Sequence, residues 1–299
     1  MNGFDADWLA LREPFDGAAR AACSDGFGLP ALATRLRGEE PMLSVLDLAC
    51  GTGANLRELA PRLGGAQRWM LVDHDPLLLE ALPTALTAWA AARGFGLHAA
   101  AAGLRIEGPG WQAEVQLLRL DLARDLGALP LGGCHLVTAS ALLDLVSAEW
   151  LDTLLAGAVA AGVAALLFAL SVDGRLDCSP PLAGDRLAAA LFAAHQRRDK
   201  GFGPALGASA AAHAAGRLRA LGYGVQCTAS DWQLDGAPAG PARALLAALF
   251  QGHAAAAREQ DPRQERALAA WIGARLRRLP RTRLALGHLD LLATRDRTP

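Results

Sequence analysis

Between residues 43 and 172 the chain alternates short apolar runs with longer stretches in which apolar positions recur every three or four residues. The pattern predicts strands at 43–48, 68–72, 113–120, 135–139 and 163–171, with helices at about 54–63, 77–93 and 148–161 between them. Strand and helix alternating in this way is the signature of a parallel sheet with crossover helices. The first strand ends in a glycine turn and the fifth runs into Asp173-Gly174, so the loops gather at the C-terminal edge of the sheet, where open α/β sheets bind ligands. Past residue 180 the pattern turns helical at 185–198 and 208–221, returns to a strand at 223–228, is helical again through 278 and closes with a strand at 284–293. Residues 2–36 read as an N-terminal helical cap that Pro14 breaks or kinks.

The segment 153–172 is about as long as the ~20 apolar residues that span a bilayer. Asp152 and Asp173 flank it, no Lys or Arg anchors either end, and Gly157 and Gly162 divide it. The expectation is a helix followed by a central strand, with no membrane partner. The N-terminus is acidic where an export signal needs a basic stretch, which points to a cytoplasmic protein. With 29 basic and 30 acidic residues there is no global field to attract nucleic acid. The five cysteines are scattered without a C-x-x-C pair, against a disulfide framework or structural zinc, and no metal site is expected.

Candidate chemistry concentrates after the first strand, in Val45-Leu46-Asp47-Leu48-Ala49-Cys50-Gly51-Thr52-Gly53-Ala54-Asn55. Gly51 and Gly53 free the backbone to take unusual φ values and let a ligand lie directly against peptide groups at a helix start. Asp47, at the strand end, offers a carboxylate to an ammonium group. Leu71-Val72-Asp73-His74-Asp75-Pro76 ends the next strand with an acid able to accept two ribose hydroxyls. Leu118-Arg119-Leu120-Asp121-Leu122 and Val137-Thr138-Ala139-Ser140-Ala141-Leu142-Leu143-Asp144 follow the third and fourth strands.

The first of these stretches resembles the opening motif of the class I S-adenosylmethionine-dependent methyltransferases, with Ala49 in place of that motif's first glycine. The resemblance runs by motif over residues 43–172. It implies a single domain over 1–299: a helical cap (1–36), a cofactor-binding core (43–172), and substrate-side helices with a closing strand pair (173–299). The implied fold is α/β, a doubly wound, mostly parallel seven-stranded sheet with an antiparallel last strand and helical insertions at its C-terminal edge. The implied cofactor is S-adenosyl-L-methionine, with S-adenosyl-L-homocysteine as product. Asp47, Ala49, Gly51 and Gly53 would cradle its amino-acid end and Asp73 its ribose, with Asp75 able to share that role. His74 would lie against the adenine, Asp121 with Leu122 would meet the adenine amino group, and Ser140 would close over the cofactor.

The sulfonium methyl is already activated, so the expected enzyme aligns a nucleophile and excludes water. In-line transfer to an oxygen or nitrogen of a small molecule is the leading reading, carbon acceptors staying open. Asp144 or His195 serves as base where the acceptor arrives protonated. An extra helix at 185–198 would leave Arg198, Lys200 (the only lysine) and Phe202 near the pocket mouth as acceptor contacts. His288, Asp290 and Trp232 read as fold-supporting. The rivals are a nucleic-acid methyltransferase, suggested by Arg275, Arg277, Arg278, Arg281 and Arg283, a nicotinamide or flavin oxidoreductase, and a cofactor-binding regulator. Leu56 stands where the dinucleotide motif needs its third glycine. Oligomeric state is open.

Overall fold

The apolar runs pair edge to edge in one sheet. The computed structural model describes residues 6–100 and 103–295, so residues 2–5 of the expected cap lie outside the described residues. The elements are α1 (Ala6–Cys23), α2 (Leu29–Arg37), β1 (Leu43–Leu48), α3 (Ala54–Leu63), β2 (Gly65–Asp73), α4 (Pro76–Arg93), β3 (Gly96–Ala100), β4 (Gly103–Gly108), β5 (Trp111–Arg119), β6 (Leu136–Ser140), α5 (Ala148–Ala160), β7 (Ala165–Ser179), α6 (Asp185–Gln196), α7 (Ala210–Ala220), β8 (Gly224–Ala229), β9 (Trp232–Asp235), α8 (Pro241–Gln260), α9 (Glu265–Arg278) and β10 (Arg283–Thr294).

The strand order is β3-β4-β5-β2-β1-β6-β7-β10-β8, with β9 beside the first residues of β10. β5, β2, β1, β6 and β7 run parallel, and β10 is antiparallel to both β7 and β8. The fold is therefore the expected mostly parallel α/β sheet with an antiparallel last strand, built from ten strands among the described residues rather than seven. The additions have a common cause. β3 and β4 form an edge hairpin in which the isolated apolar residues Leu97, Leu104 and Ile106 alternate with Gly, Ala and polar positions, β4 pairing with β5, and β9 has only four residues; none carries a continuous apolar run. β7 extends past the expected end at 171 because its polar tail pairs with the first half of β10, forming a ribbon beyond the sheet.

Each sheet face carries its own core. Leu32, Leu36, Leu56, Leu59, Leu82 and Leu86 of α2, α3 and α4 cover one face, while Trp150, Leu151, Leu154, Ala214 and Leu218 of α5 and α7 cover the other. Burial on both faces is why the central strands are almost wholly apolar. A third core lies over the ribbon, where α1, α8, α9 and β9 bury Ala19, Trp232, Leu245, Phe250 and Trp271. Residues 153–172 divide into α5 and β7 around Gly162 at φ 76°, and among the described residues no helix is long and apolar enough to cross a membrane.

α1 does not break at Pro14; the helix passes through it and stops at Cys23. The proline forfeits one backbone bond, and tertiary bonds hold the helix on both sides of it: Glu13 pairs with Arg57, and Asp16 accepts from Trp232 Nε1 at 3.0 Å.

Arg275, fully buried, clamps the helical layer. Its guanidinium donates to both oxygens of Asp185 on α6 and to the Pro180 carbonyl, and lies over Phe250. It is thus withdrawn from the basic run that suggested nucleic-acid binding. Arg275→Ala is expected to cost about 3 kcal/mol, because it leaves Asp185 without its cation; urea unfolding followed by circular dichroism reads it, and a loss below about 1 kcal/mol would mean the clamp is not structural.

Candidate functional site

β1 delivers Asp47 and then bends away from the sheet. Ala49, Gly51 and Gly53 all take left-handed φ values, 52°, 54° and 82°. Ala49 adopts without glycine's freedom the conformation glycine would take there, a strain on the order of 1 kcal/mol that the neighbouring bonds must hold. Those bonds are Cys50 N–H to the Val72 carbonyl at 2.9 Å and Gly51 N–H to Asp73 Oδ2 at 2.8 Å. α3 then starts at Gly53 with no side-chain cap. Its first N–H groups and the positive end of its dipole face the turn, which suits a carboxylate.

Asp47 is completely buried. Its Oδ1 accepts from Asn55 Nδ2 at 2.7 Å, while Oδ2 has no hydrogen-bond partner. Burial first, and the neighbouring Asp73 charge, push its carboxyl up from 3.8 to about 7 against the opposing pull of Asn55 and Arg20. Asn55 is the hub. Its amide also donates to Thr138 Oγ1 at 3.1 Å, and its oxygen accepts from Arg20 Nη1 at 2.8 Å. Arg20 of α1 lies with its Nε 3.8 Å from Asp290 Oδ2. The other oxygen of Asp290 accepts from the Leu170 N–H at 2.8 Å and from the Ser230 hydroxyl at 2.6 Å. The Leu170 N–H reaches it because Leu170 takes φ 55°, where the β7–β10 register shifts between Leu289 and Leu291. One polar chain thus ties the glycine turn to α1 and to the last strand pair. Sequence reasoning missed Arg20 and Asn55. Asn55, two residues past the second glycine, was readable as an end-of-turn amide; Arg20 carries no local signal inside an amphipathic helix.

Asp73 has both oxygens engaged, by Gly51 N–H and by Asp75 N–H at 3.0 Å, yet each oxygen retains a second lone pair. Asp75 caps α4, accepting from Leu77 N–H at 2.9 Å, so its carboxylate is occupied by the helix start. The His74 side chain is 70% exposed, with Nδ1 3.5 Å from Asp73. Asp121 accepts from Ala123 N–H and faces Arg124, bonds that organise the loop after β5. The Leu122 carbonyl accepts from Trp150 Nε1, and half-buried Ser140 ends β6. Asp144 is half-buried on the single turn after β6, its carboxyl pushed up to about 6 by burial, with the Arg12 guanidinium opposing.

The segment expected at the pocket mouth is otherwise engaged. Arg198 donates to Glu259 of α8, and His195 lies between that same Glu259, at 3.1 Å, and Lys200, at 3.5 Å. Phe202 packs edge-on against Trp150, with ring centroids 5.3 Å apart. Among the described residues no hydrogen bond or ion pair joins His195 to Asp144, the alternative base; His195 is engaged by Glu259 and Lys200. Phe202 is a packing contact of the α5 side, Arg198 ties the end of α6 to α8, and Lys200 turns back to His195 of α6.

A cleft of about 780 Å³ runs between α1 and α3 and reaches Arg20, Asn55 and Ser140 at its inner end. Leu9 of α1 lies directly over the turn, where a methyl added to Gly51 would come within 3.0 Å of its Cδ1.

No protein-family model and no curated protein matches the chain by sequence. Solved structures do. A cyclopropane-fatty-acyl-phospholipid synthase-like protein from Lactobacillus casei is 16% identical with TM-score 0.53, over 98% of this chain and 95% of its own. A cyclopropane synthase from Mycobacterium tuberculosis is 11% identical with TM-score 0.43, over 88% and 82%. Magnesium protoporphyrin IX methyltransferase from Synechocystis PCC 6803 is 14% identical with TM-score 0.42, over 77% and 82%. At these identities the likeness concerns the fold alone, and the first comparison carries it: the chain shares the Rossmann-like α/β fold of that protein over nearly its whole length.

The raised carboxyl of Asp47 has a signed consequence. The unfolded chain ionises this group near 3.8 and the folded protein near 7, so the native state holds the extra proton in between and its stability falls as pH rises through that window. Asp47→Asn removes this component. Thermal unfolding between pH 5 and 8 is expected to lose more stability with rising pH in the parent than in the variant; equal slopes would show that Asp47 ionises normally.

Proposed function

We propose that this protein is an S-adenosylmethionine-dependent methyltransferase acting on an oxygen or nitrogen of a small molecule. One observation carries the reading: a fully buried carboxylate oxygen, Asp47 Oδ2, with no partner, set beside an uncapped helix start and a left-handed turn. An unpaired buried charge is costly, and a ligand that brings an ammonium to Asp47 and a carboxylate to the α3 N–H groups relieves both ends at once. The amino-acid end of S-adenosylmethionine has that pair of charges, and the spare lone pairs of Asp73 suit a ribose diol. The residues therefore fit the cofactor, provided Leu9 withdraws from Gly51.

When bound, S-adenosylmethionine supplies a methyl group on a positive sulfur, ready for displacement. The remaining work falls to the protein's own groups. Asp47 and α3 hold the amino-acid end, Asp73 holds the ribose, and α1, anchored by Arg20, excludes water from above. Asp144, at the end of β6, takes a proton from an acceptor that arrives protonated. Leu56, fully buried in the core, fills the place where a pyrophosphate-binding turn needs glycine, which disfavours a nicotinamide or flavin. The withdrawal of Arg275 into the helical layer likewise weakens the nucleic-acid reading.

Titration calorimetry is expected to detect S-adenosylhomocysteine and S-adenosylmethionine but not NAD or FAD. Asp47→Asn should weaken S-adenosylmethionine roughly ten- to a hundred-fold, the scale of one charge-assisted bond. Because Asp47 must ionise to pair, affinity should rise as pH increases towards 7, with proton release on binding at pH 6. Preference for a nicotinamide or flavin would reverse the assignment.

A further inference from the structure

α1 commits its large apolar side chains, Trp8, Leu11 and Phe15, to the core over the ribbon. Its face towards α3 is small, with Ala10, Gly17 and Ala21 on one side of the helix. Polar contacts join the two helices instead: Glu13 pairs with Arg57, and the Arg20 carbonyl accepts from Arg62 at 3.3 Å. The gap left between them is the cleft of about 780 Å³, a volume typical of small-molecule sites. α3 and α4 both begin at the C-terminal edge of the sheet and end at the opposite edge, so the cleft has two distinct ends. Ser140 and Asn55 line the end beside the glycine turn, while Arg62, Trp89, Arg93 and Phe95 line the other. From Asn55 to Arg62 α3 rises about 10 Å, which sets the least length of the cleft. Nearly every charged side chain along it is compensated within the protein: Glu13 by Arg57, Glu58 by Arg62, Asp16 by Arg12, and Arg20 by Asp290. Arg93 differs. Exposed at the end of α4, it makes no hydrogen bond or ion pair among the described residues. The Ser140 hydroxyl at the other end also has no hydrogen bond among the described residues. Beside Arg93 the rings of Trp89 and Phe95, edge to face with centroids 5.2 Å apart, give the cleft an apolar wall.

We propose that this cleft holds the methyl acceptor, and that the acceptor is an elongated amphipathic carboxylate. Its anionic end pairs with Arg93, its apolar body lies on Trp89 and Phe95, and its uncharged end, which carries the group to be methylated, meets the Ser140 hydroxyl. This rests on the methyltransferase reading and adds the substrate class. The direction follows from what each end of the cleft lacks. A lone guanidinium matches the single charge of a carboxylate and can grip both its oxygens, whereas a cationic tail would meet like charge. A phosphate dianion would call for a second cation, and Arg62 is committed to Glu58. At the turn end Arg20 and Arg57 are committed as well, which leaves a neutral hydroxyl as the group offered to the ligand there.

The test uses the full chain saturated with S-adenosylhomocysteine, titrated calorimetrically at pH 8 with ω-hydroxydecanoate, decanoate, decane-α,ω-diol and ω-aminodecanol. The hydroxy acid is expected to bind tightest and the amino alcohol weakest. Arg93→Gln, at an exposed helix end where substitution costs little stability, should weaken both acids roughly five- to tenfold, the scale of one partly screened ion pair. The diol should keep its parental affinity in that variant, and Arg93→Lys should restore part of the loss. Ser140→Ala should weaken the hydroxy acid about two- to tenfold and leave decanoate unchanged. Gly17→Leu places a side chain in the cleft from a helical position with room for its Cβ, the nearest atom being Glu58 Oε2 at 3.7 Å. It should abolish binding of both acids while S-adenosylhomocysteine affinity stays at the parent value. Diol or amino alcohol binding as tight as the hydroxy acid, no binding of the hydroxy acid, an equal effect of Ser140→Ala on both acids, or parental acid affinity in Arg93→Gln or Gly17→Leu overturns the proposal while leaving the cofactor reading intact. Failure of the parent protein to bind S-adenosylhomocysteine overturns both.

Discussion

A single arginine holds the functional edge of this molecule together. Arg20 lies buried between Asn55, which orients Asp47 below the glycine turn, and Asp290, which gathers the Leu170 N–H and the Ser230 hydroxyl. Burying a cation costs several kcal/mol unless its partners are fixed, so α1, the turn after β1 and the last strand pair must all assume their positions for any of them to be stable there. The strained φ values at Ala49 and Leu170 sit at the two ends of this chain of bonds. Strain of that kind persists only where the surroundings over-determine the backbone.

The charge pattern of the edge follows from this arrangement. Arg20 compensates one carboxylate, Arg12 another and Arg175 two more, and the protein leaves Asp47 and Asp144 without cations of their own. Both have carboxyls pushed upward by burial, to about 7 and about 6. A fold that maximised its own stability would neutralise or expose them. Asp47 at the end of β1 and Asp144 just past β6 lie at the C-terminal ends of neighbouring parallel strands, the edge at which open α/β sheets bind ligands.

α1 has two jobs that pull against each other. Glu13, Asp16 and Arg20 bind it to α3, β9 and β10, while Leu9 lies on the turn a ligand would use. Pro14 lies between the Leu9 turn and the Asp16–Arg20 stretch, and because Glu13 ties the Leu9 side to Arg57, both sides of the proline are anchored.

Local pattern alone determined the alternation of β1, α3, β2, α4, β5, β6, α5 and β7, because strands buried on both faces must be apolar runs and their crossover helices must carry a stripe. It also determined that Asp47, Gly51, Gly53 and Asp73 fall at strand ends, where chain direction puts them on one edge. Tertiary structure decided what no local pattern carries. The β3–β4 hairpin is a strand pair only because β5 offers an edge, and Pro14 lies inside a helix only because bonds on either side hold it. Arg275 is a buried clamp only because Asp185 comes to meet it. His195, Arg198, Lys200 and Phe202, polar and aromatic residues beside glycines, looked like a pocket mouth, yet Glu259 and Trp150 claim them. Arg20 and Asp290 became linked to the turn through Asn55, by contacts spanning most of the chain. Side-chain chemistry and spacing are written along the backbone, but which charge is left without a partner is settled only when every element has taken its place.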